Sequence, residues 1–267
     1  MLLLLNQDVV IAAILTTLFL GLVLIFVQYR LSITPKKYYS CIAIALPLSA
    51  LINIIKIPIL HILFSTSLEK DSLVFLDLIL WLVIVGISEE VVKVLPVFLP
   101  YLNKIEHSSQ QLAILGWCLG AGFGIGEIWF LTIQISMQIE ETQYNWLTLL
   151  SGFGFERFFV VFAHITFTLI ALKGLEIGRR KFLETITLAA LFHGVFDSPI
   201  LLHTAGYLTY FEMIMIVFLE LILTFMAAFY LFYINYTSVR ILEDERTIQK
   251  SNLLLRAKEA WDKAEKT

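Results

Sequence analysis

Cysteine is nearly absent from this 267-residue chain. Cys41 and Cys118 both fall inside apolar runs, where a thiol behaves as a small hydrophobic side chain. A disulfide framework is thereby excluded. Charge is equally sparse: 15% of residues are charged, 19 basic against 22 acidic, and the basic ones are scattered among short segments, so no nucleic-acid-binding face is expected. The first seven residues contain no basic residue, and the apolar run from Val9 to Val27 is too long for the core of a cleaved signal peptide. It reads as a retained signal anchor. Internal repeats, low-complexity tracts and phosphate-binding loops are missing as well. The glycine-rich stretch Gly120-Ala-Gly-Phe-Gly-Ile-Gly126 sits within an apolar run, where glycines let helices approach closely, and here they would bring Glu127 near its neighbours.

What the chain has in quantity is hydrophobicity. Hydrophobic residues make up 59% of it, and they form long stretches along nearly its whole length. A helix needs about 20 such residues to cross a bilayer. Hydropathy and helix-breaking residues divide the chain into seven expected spans, roughly 8–28, 39–63, 73–100, 111–136, 147–172, 183–203 and 210–236. The expectation is an all-α polytopic membrane bundle. Residues 1–236 would form a single transmembrane domain with its core at about 73–203. Residues 237–267 would form a cytoplasmic tail, either an amphipathic helix at the interface or a solvated continuation of the last span. Arg30, Lys36, Lys37, Lys104, Lys173, Arg179, Arg180 and Lys181, with seven further basic residues from Arg240 to Lys266, fall on one side of the bundle. The opposite loops hold Lys70 beside Glu69, Asp71, Glu140 and Glu141. The positive-inside rule then places the N-terminus outside and the C-terminus in the cytoplasm.

Against this apolar background four ionisable clusters stand out. Each costs a few kcal/mol at membrane depth, which marks a functional site. In the third span, Glu89-Glu90-Val-Val-Lys93 puts Glu89 and Lys93 one helical turn apart and turns Glu90 by about 100° from Glu89. One carboxylate can pair with a cation while the other meets a different neighbour, so two adjacent acids can hold two roles. Packing alone would make this a neutralised pair near a helix end, since Pro96 and Pro100 follow. The fourth span adds Phe123-Gly-Ile-Gly-Glu127, whose lone carboxylate carries little information by itself. In the fifth, Arg157 and His164 are seven residues apart and share a helix face. In the sixth, His193 and Asp197 are four apart, a spacing that suits a metal ligand and its orienting partner or two groups acting on one site. Two histidines, several carboxylates and two cations are the inventory for activating a water against a peptide carbonyl. Zinc catalysis needs three N or O ligands and an open position, and a metal-free variant would use glutamate and histidine instead.

In their order on four successive helices, Glu89-Glu-Val-Val-Lys93, Phe123-Gly-Ile-Gly-Glu127, Arg157 to His164, and His193-Gly-Val-Phe-Asp197 resemble the motifs of the PrsW-like intramembrane proteases, relatives of the type II CAAX prenyl endopeptidases and bacteriocin-processing membrane proteases. The resemblance covers about 110 residues and departs from the CAAX branch at two places. Glu127 stands where that branch has histidine, and Asp197 where it has asparagine, which argues against prenylated substrates. The resemblance implies a membrane-embedded endopeptidase of a bacterial or archaeal cytoplasmic membrane, acting on a membrane or membrane-proximal polypeptide such as an anti-sigma-type protein. It implies that Glu89 or Glu90 is the water-activating base, with Arg157 among the catalytic residues and Lys93 in support. Glu127, His164, His193 and Asp197 would be metal ligands or an electrostatic shell, with zinc the expected ion. The competing reading is a proton- or ion-coupled transporter or channel built on the same buried groups, against which no inverted repeat or paired broken helices are seen. Lys56, His61, Asp77 and Glu220 also lie in or near spans and have no role on either reading.

Overall fold

A computed structural model describes residues 5–30, 33–69, 75–99, 108–138 and 145–236. Seven helices run through these residues: α1 Gln7–Arg30, α2 Pro35–Glu69, α3 Phe75–Val94, α4 Ser109–Gln138, α5 Trp146–Glu176, α6 Arg179–Thr204 and α7 Tyr210–Tyr236. Six are long and apolar enough to cross a membrane. The exception is α3, which has the length but carries Asp77, Glu89, Glu90 and Lys93. The chain is thus a polytopic helical membrane protein. The expected third span, 73–100, is shorter than anticipated. After Val94 the backbone tightens into a single turn, Leu95–Phe98, around Pro96, and Leu99 is extended ahead of Pro100, as the clash of a proline ring with the preceding residue requires. The basic and acidic residues at 70, 71, 104, 140 and 141 and the tail beyond 236 lie outside the described residues.

Local chemistry sets the helix ends. Asn6 Oδ1 accepts from the amides of Asp8 and Val9 at the start of α1. Thr209 and Glu212 cap α7 reciprocally, Thr209 Oγ1 accepting from the Glu212 amide and Glu212 Oε2 from the Thr209 amide at 2.8 Å. The turn between α5 and α6 passes through Gly178 at φ 143°, a conformation that disfavours any Cβ. Inside α6, Pro199 leaves the Val195 carbonyl without its helical donor, and the Ser198 hydroxyl donates to that carbonyl at 2.7 Å.

Packing centres on α4, which is buried over most of its length against α2 on one side and α5 on the other. Its glycines divide into two stripes. A Cβ at Gly120 or Gly124 would collide with the backbone of Ile165 or Val161 on α5, and one at Gly122 or Gly126 would collide with the carbonyl of Ile42 or Leu46 on α2. The helices therefore touch backbone to backbone, the contact that small residues permit where no hydrophobic effect drives helices together. A polar pin joins three helices nearby: Trp117 Nε1 of α4 donates to the Tyr38 hydroxyl of α2 at 3.0 Å, which donates to the Leu24 carbonyl of α1 at 3.2 Å. The pair α3 and α6 repeats the glycine device. A Cβ at Gly86 would strike the Ala190 carbonyl, and one at Gly194 would lie 3.1 Å from the Leu82 carbonyl. In contrast, α7 is largely exposed and leans on α5 through Phe225 and Phe229 and a bond from Thr166 Oγ1 to the Thr224 carbonyl.

Widening the α4–α5 contact should be costly. Gly120→Val is expected to lower stability in detergent by about 1–3 kcal/mol, the usual penalty of overpacking. Gly21→Ala, where an added Cβ meets nothing within 4 Å, should leave the unfolding midpoint unchanged or slightly raised. Equal midpoints for both variants would show that the glycine stripe does not set the helix spacing.

Candidate active site

Five of these helices meet around one buried polar locus. From α3, Glu89 and Glu90 diverge as the helical rotation dictates. Glu90, fully buried, accepts from Lys93 Nζ at 2.6 Å and from His193 Nδ1 of α6 at 2.7 Å. Glu89 instead turns to α2 and forms a buried ion pair with Lys56 through Oε1. The partner of Lys93 is therefore Glu90, one residue along from Glu89. His193 Nε2 faces Glu89 Oε2 at 3.4 Å and Asp197 Oδ2 at 3.5 Å. Asp197 is thus too long a contact to be the orienting bond of His193, and Glu90 supplies that bond through the other ring nitrogen.

The second half of the locus comes from α4 and α5. Glu127 Oε2 accepts from His164 Nε2 at 2.9 Å and from Arg157 Nη1 at 3.2 Å. Arg157 is also clamped by its neighbour Glu156, with Nε 2.6 Å from Oε2 and a second short contact from Nη2 to Oε1. The two halves join at the histidines, whose rings meet edge to face at 5.6 Å. Phe123, one turn before Glu127, lies against the His164 ring and under Lys93 Nζ at 4.8 Å. Phe167 stacks on His193. The phenylalanine that opens the second motif thus forms an apolar floor and a cation–π contact shared by both halves.

All eight residues anticipated from the sequence, Glu89, Glu90, Lys93, Glu127, Arg157, His164, His193 and Asp197, lie in or beside this locus. Among the described residues, one group of potential ligands has donor atoms all within 4.8 Å of one another: Glu89, His164 and His193, each buried. Glu127 and Asp197 lie outside that group and line an adjoining cavity of about 50 Å³ with Arg157, His164, His193 and Phe196. A space of this size accommodates water. Two residues escaped the sequence reading. Lys56 was legible as a lone cation in an apolar span, but its partner on another helix was not. Glu156 was hidden because adjacent positions point to different helix faces, and the long Arg157 side chain bridges that gap.

Two of the buried polar atoms without a hydrogen bond are Glu89 Oε2 and His164 Nδ1. Each belongs to a side chain whose other polar atom is held, Glu89 Oε1 by Lys56 and His164 Nε2 by Glu127. Outer partners that fix a ring and leave its second nitrogen available are how proteins prepare metal ligands. Two imidazoles and a carboxylate also form one of the usual catalytic zinc sets. The donor set fits a divalent metal.

Fold and site together define a polytopic membrane protein with a buried Glu/His centre beside a polar cavity. The family model described as "PrsW family intramembrane metalloprotease" matches residues 9–227, and the chain belongs to that family. Membership in a protease family supports hydrolysis over transport. No curated protein and no solved structure gave a match.

The Glu90 pairing makes a direct prediction. Glu90→Gln leaves Lys93 buried without its counter-ion and should cost about 3–5 kcal/mol. The double variant Glu90→Gln/Lys93→Met should recover a large part of that loss in equilibrium unfolding. Additive losses in the double variant would mean that the pair does not act as a unit.

Proposed function

We propose that the chain cleaves a peptide bond in a membrane or membrane-proximal polypeptide, with zinc held by Glu89, His164 and His193 and water supplied from the adjoining cavity. The observation that carries this reading is the convergence of buried Glu89, His164 and His193, two of which keep a polar atom without a hydrogen bond, beside a polar cavity inside a membrane bundle. Charge supports it too. When ionised, the carboxylates of Glu89, Glu90, Glu127, Glu156 and Asp197 face three cations, Lys56, Lys93 and Arg157. With neutral imidazoles the excess is two negative charges, which one divalent ion would balance.

Roles follow from what each side chain touches. Glu90 is committed to Lys93 and His193 and acts as a positioning residue: it accepts a hydrogen bond from His193 Nδ1–H and leaves the Nε2 lone pair available for a metal. Glu127 does the same for His164 from the other side. It also borders the cavity, so it is the carboxylate placed to accept a proton from the attacking water, while Arg157 holds its orientation. This exchanges the sequence-based roles of Glu89 and Glu127, assigning the first to ligation and the second to proton transfer. The proton that Glu127 takes from the water is the one returned to the leaving amine, and Asp197, on the same cavity wall, is placed to relay it. A divalent ion in the donor set supplies Lewis acidity to the scissile carbonyl. The N-outside, C-cytoplasmic orientation remains part of the proposal, resting on the basic residues near the ends of α1, α5 and α6.

Glu89→Gln and Glu127→Gln separate these roles. Zinc content of the purified full chain should fall to background in Glu89→Gln and stay near one equivalent in Glu127→Gln. Cleavage of a co-reconstituted single-span reporter should fall in both, by roughly 10²–10⁴-fold in Glu127→Gln, the range for loss of a general base. Full zinc content in Glu89→Gln would reject the ligand assignment, and undiminished cleavage by Glu127→Gln would reject its role in proton transfer.

A further inference from the structure

Lys56 is the sole site residue that α2 contributes among the described residues, and neither the motifs nor the proposed reaction uses it. It is 8% exposed and pairs with Glu89 through Oε1. A lysine in the apolar stretch Ile54-Ile-Lys56-Ile is expensive at membrane depth. Burial of an ion pair is a poor route to stability, because two apolar side chains of similar volume serve a core as well or better. The pair is therefore better explained by what Glu89 does. Glu89 Oε2 has no hydrogen bond, and Glu89 belongs to the donor group with His164 and His193. A divalent cation at that group and the Lys56 ammonium would draw on the same carboxylate from its two oxygens, and they would repel each other in a medium that screens poorly.

We propose that Lys56 is a built-in competitor for the metal: it neutralises Glu89 when the site holds no ion and weakens the hold on a divalent cation when one binds. This inference rests on Glu89 being a ligand, as proposed above. It differs in sign from a role in pre-organisation, since a residue that merely held Glu89 in its ligating rotamer would lower metal affinity when removed.

The test is titration of the detergent-purified full chain with Zn²⁺ against a fluorescent zinc chelator. Lys56→Met should bind Zn²⁺ about tenfold more tightly than the wild type, equivalent to about 1.4 kcal/mol, and zinc should raise its unfolding midpoint by more. Lys56→Arg, which keeps the charge, should bind at or below wild-type affinity. Should Lys56→Met fail to fold, Lys56→Gln, which can still donate to Glu89 without a charge, carries the same expectation of tighter binding. Wild-type or weaker affinity in the neutral variant, or tightening by Lys56→Arg, would overturn the proposal while leaving the metal site intact. Absence of Zn²⁺ binding in every form, wild type included, would overturn both the proposal and the metal reading beneath it.

Discussion

Charge compensation without water is the constraint on which the rest of this structure depends. A carboxylate in the middle of a membrane bundle meets little solvent, so each must find a cation or a donor among the side chains around it. Glu90 is held by Lys93 and His193, Glu89 by Lys56, and Glu127 by Arg157 and His164. Apart from Glu90–Lys93 within α3, these bonds run between α2 and α3, α3 and α6, and α4 and α5. The polar centre thus doubles as a set of cross-links among the helices that surround it, which ties the geometry of the site to the integrity of the bundle.

Around these contacts the helix axes lie closer than ordinary side chains allow, and the glycines provide this. Gly86 and Gly194 let α3 and α6 approach beside Glu90 and His193, while Gly124 lets α4 approach α5 where a Cβ would press on the His164 ring. The spacing is matched to the chemistry: a glycine lies within four residues of Glu89, Glu90, Glu127 and His193. Ion pairing alone could not draw the helices together, because long side chains can bridge a wide gap as easily as a narrow one. Backbone contact fixes the distance, and the charged groups then fix the register.

The fold was legible in the sequence because it follows from one-dimensional quantities, the length of apolar runs and the placement of breakers between them. The glycine stretch in α4 was legible for the same reason, since its role needs only close packing. The site was legible as an inventory, because ionisable residues in apolar runs are conspicuous wherever they fall. Its pairings were not. Helical spacing allowed Lys93 to pair with either preceding glutamate, and only the position of α2, which brings Lys56 to Glu89, leaves Glu90 for Lys93. Likewise the four-residue spacing of His193 and Asp197 suggested a hydrogen bond that Glu90 makes instead, from another helix. Contacts between helices distant in the chain decide such questions, and one sequence carries no record of them.

The doubled acid of α3 shows how little redundancy that leaves. Successive residues on a helix are rotated by about 100°, so Glu89 and Glu90 pair with different lysines and meet His193 through different ring nitrogens even though they are chemically the same. Glu89 faces α2 on one side and the histidines on the other, keeping one oxygen free of hydrogen bonds, whereas Glu90 is enclosed between Lys93 and His193. A carboxylate with an available oxygen can bind or react. A carboxylate bound by a lysine and a histidine can orient both. The identity of the two side chains hides a division of labour that their neighbours impose, and exchanging either for an uncharged residue would remove a different function from the same few ångströms of helix.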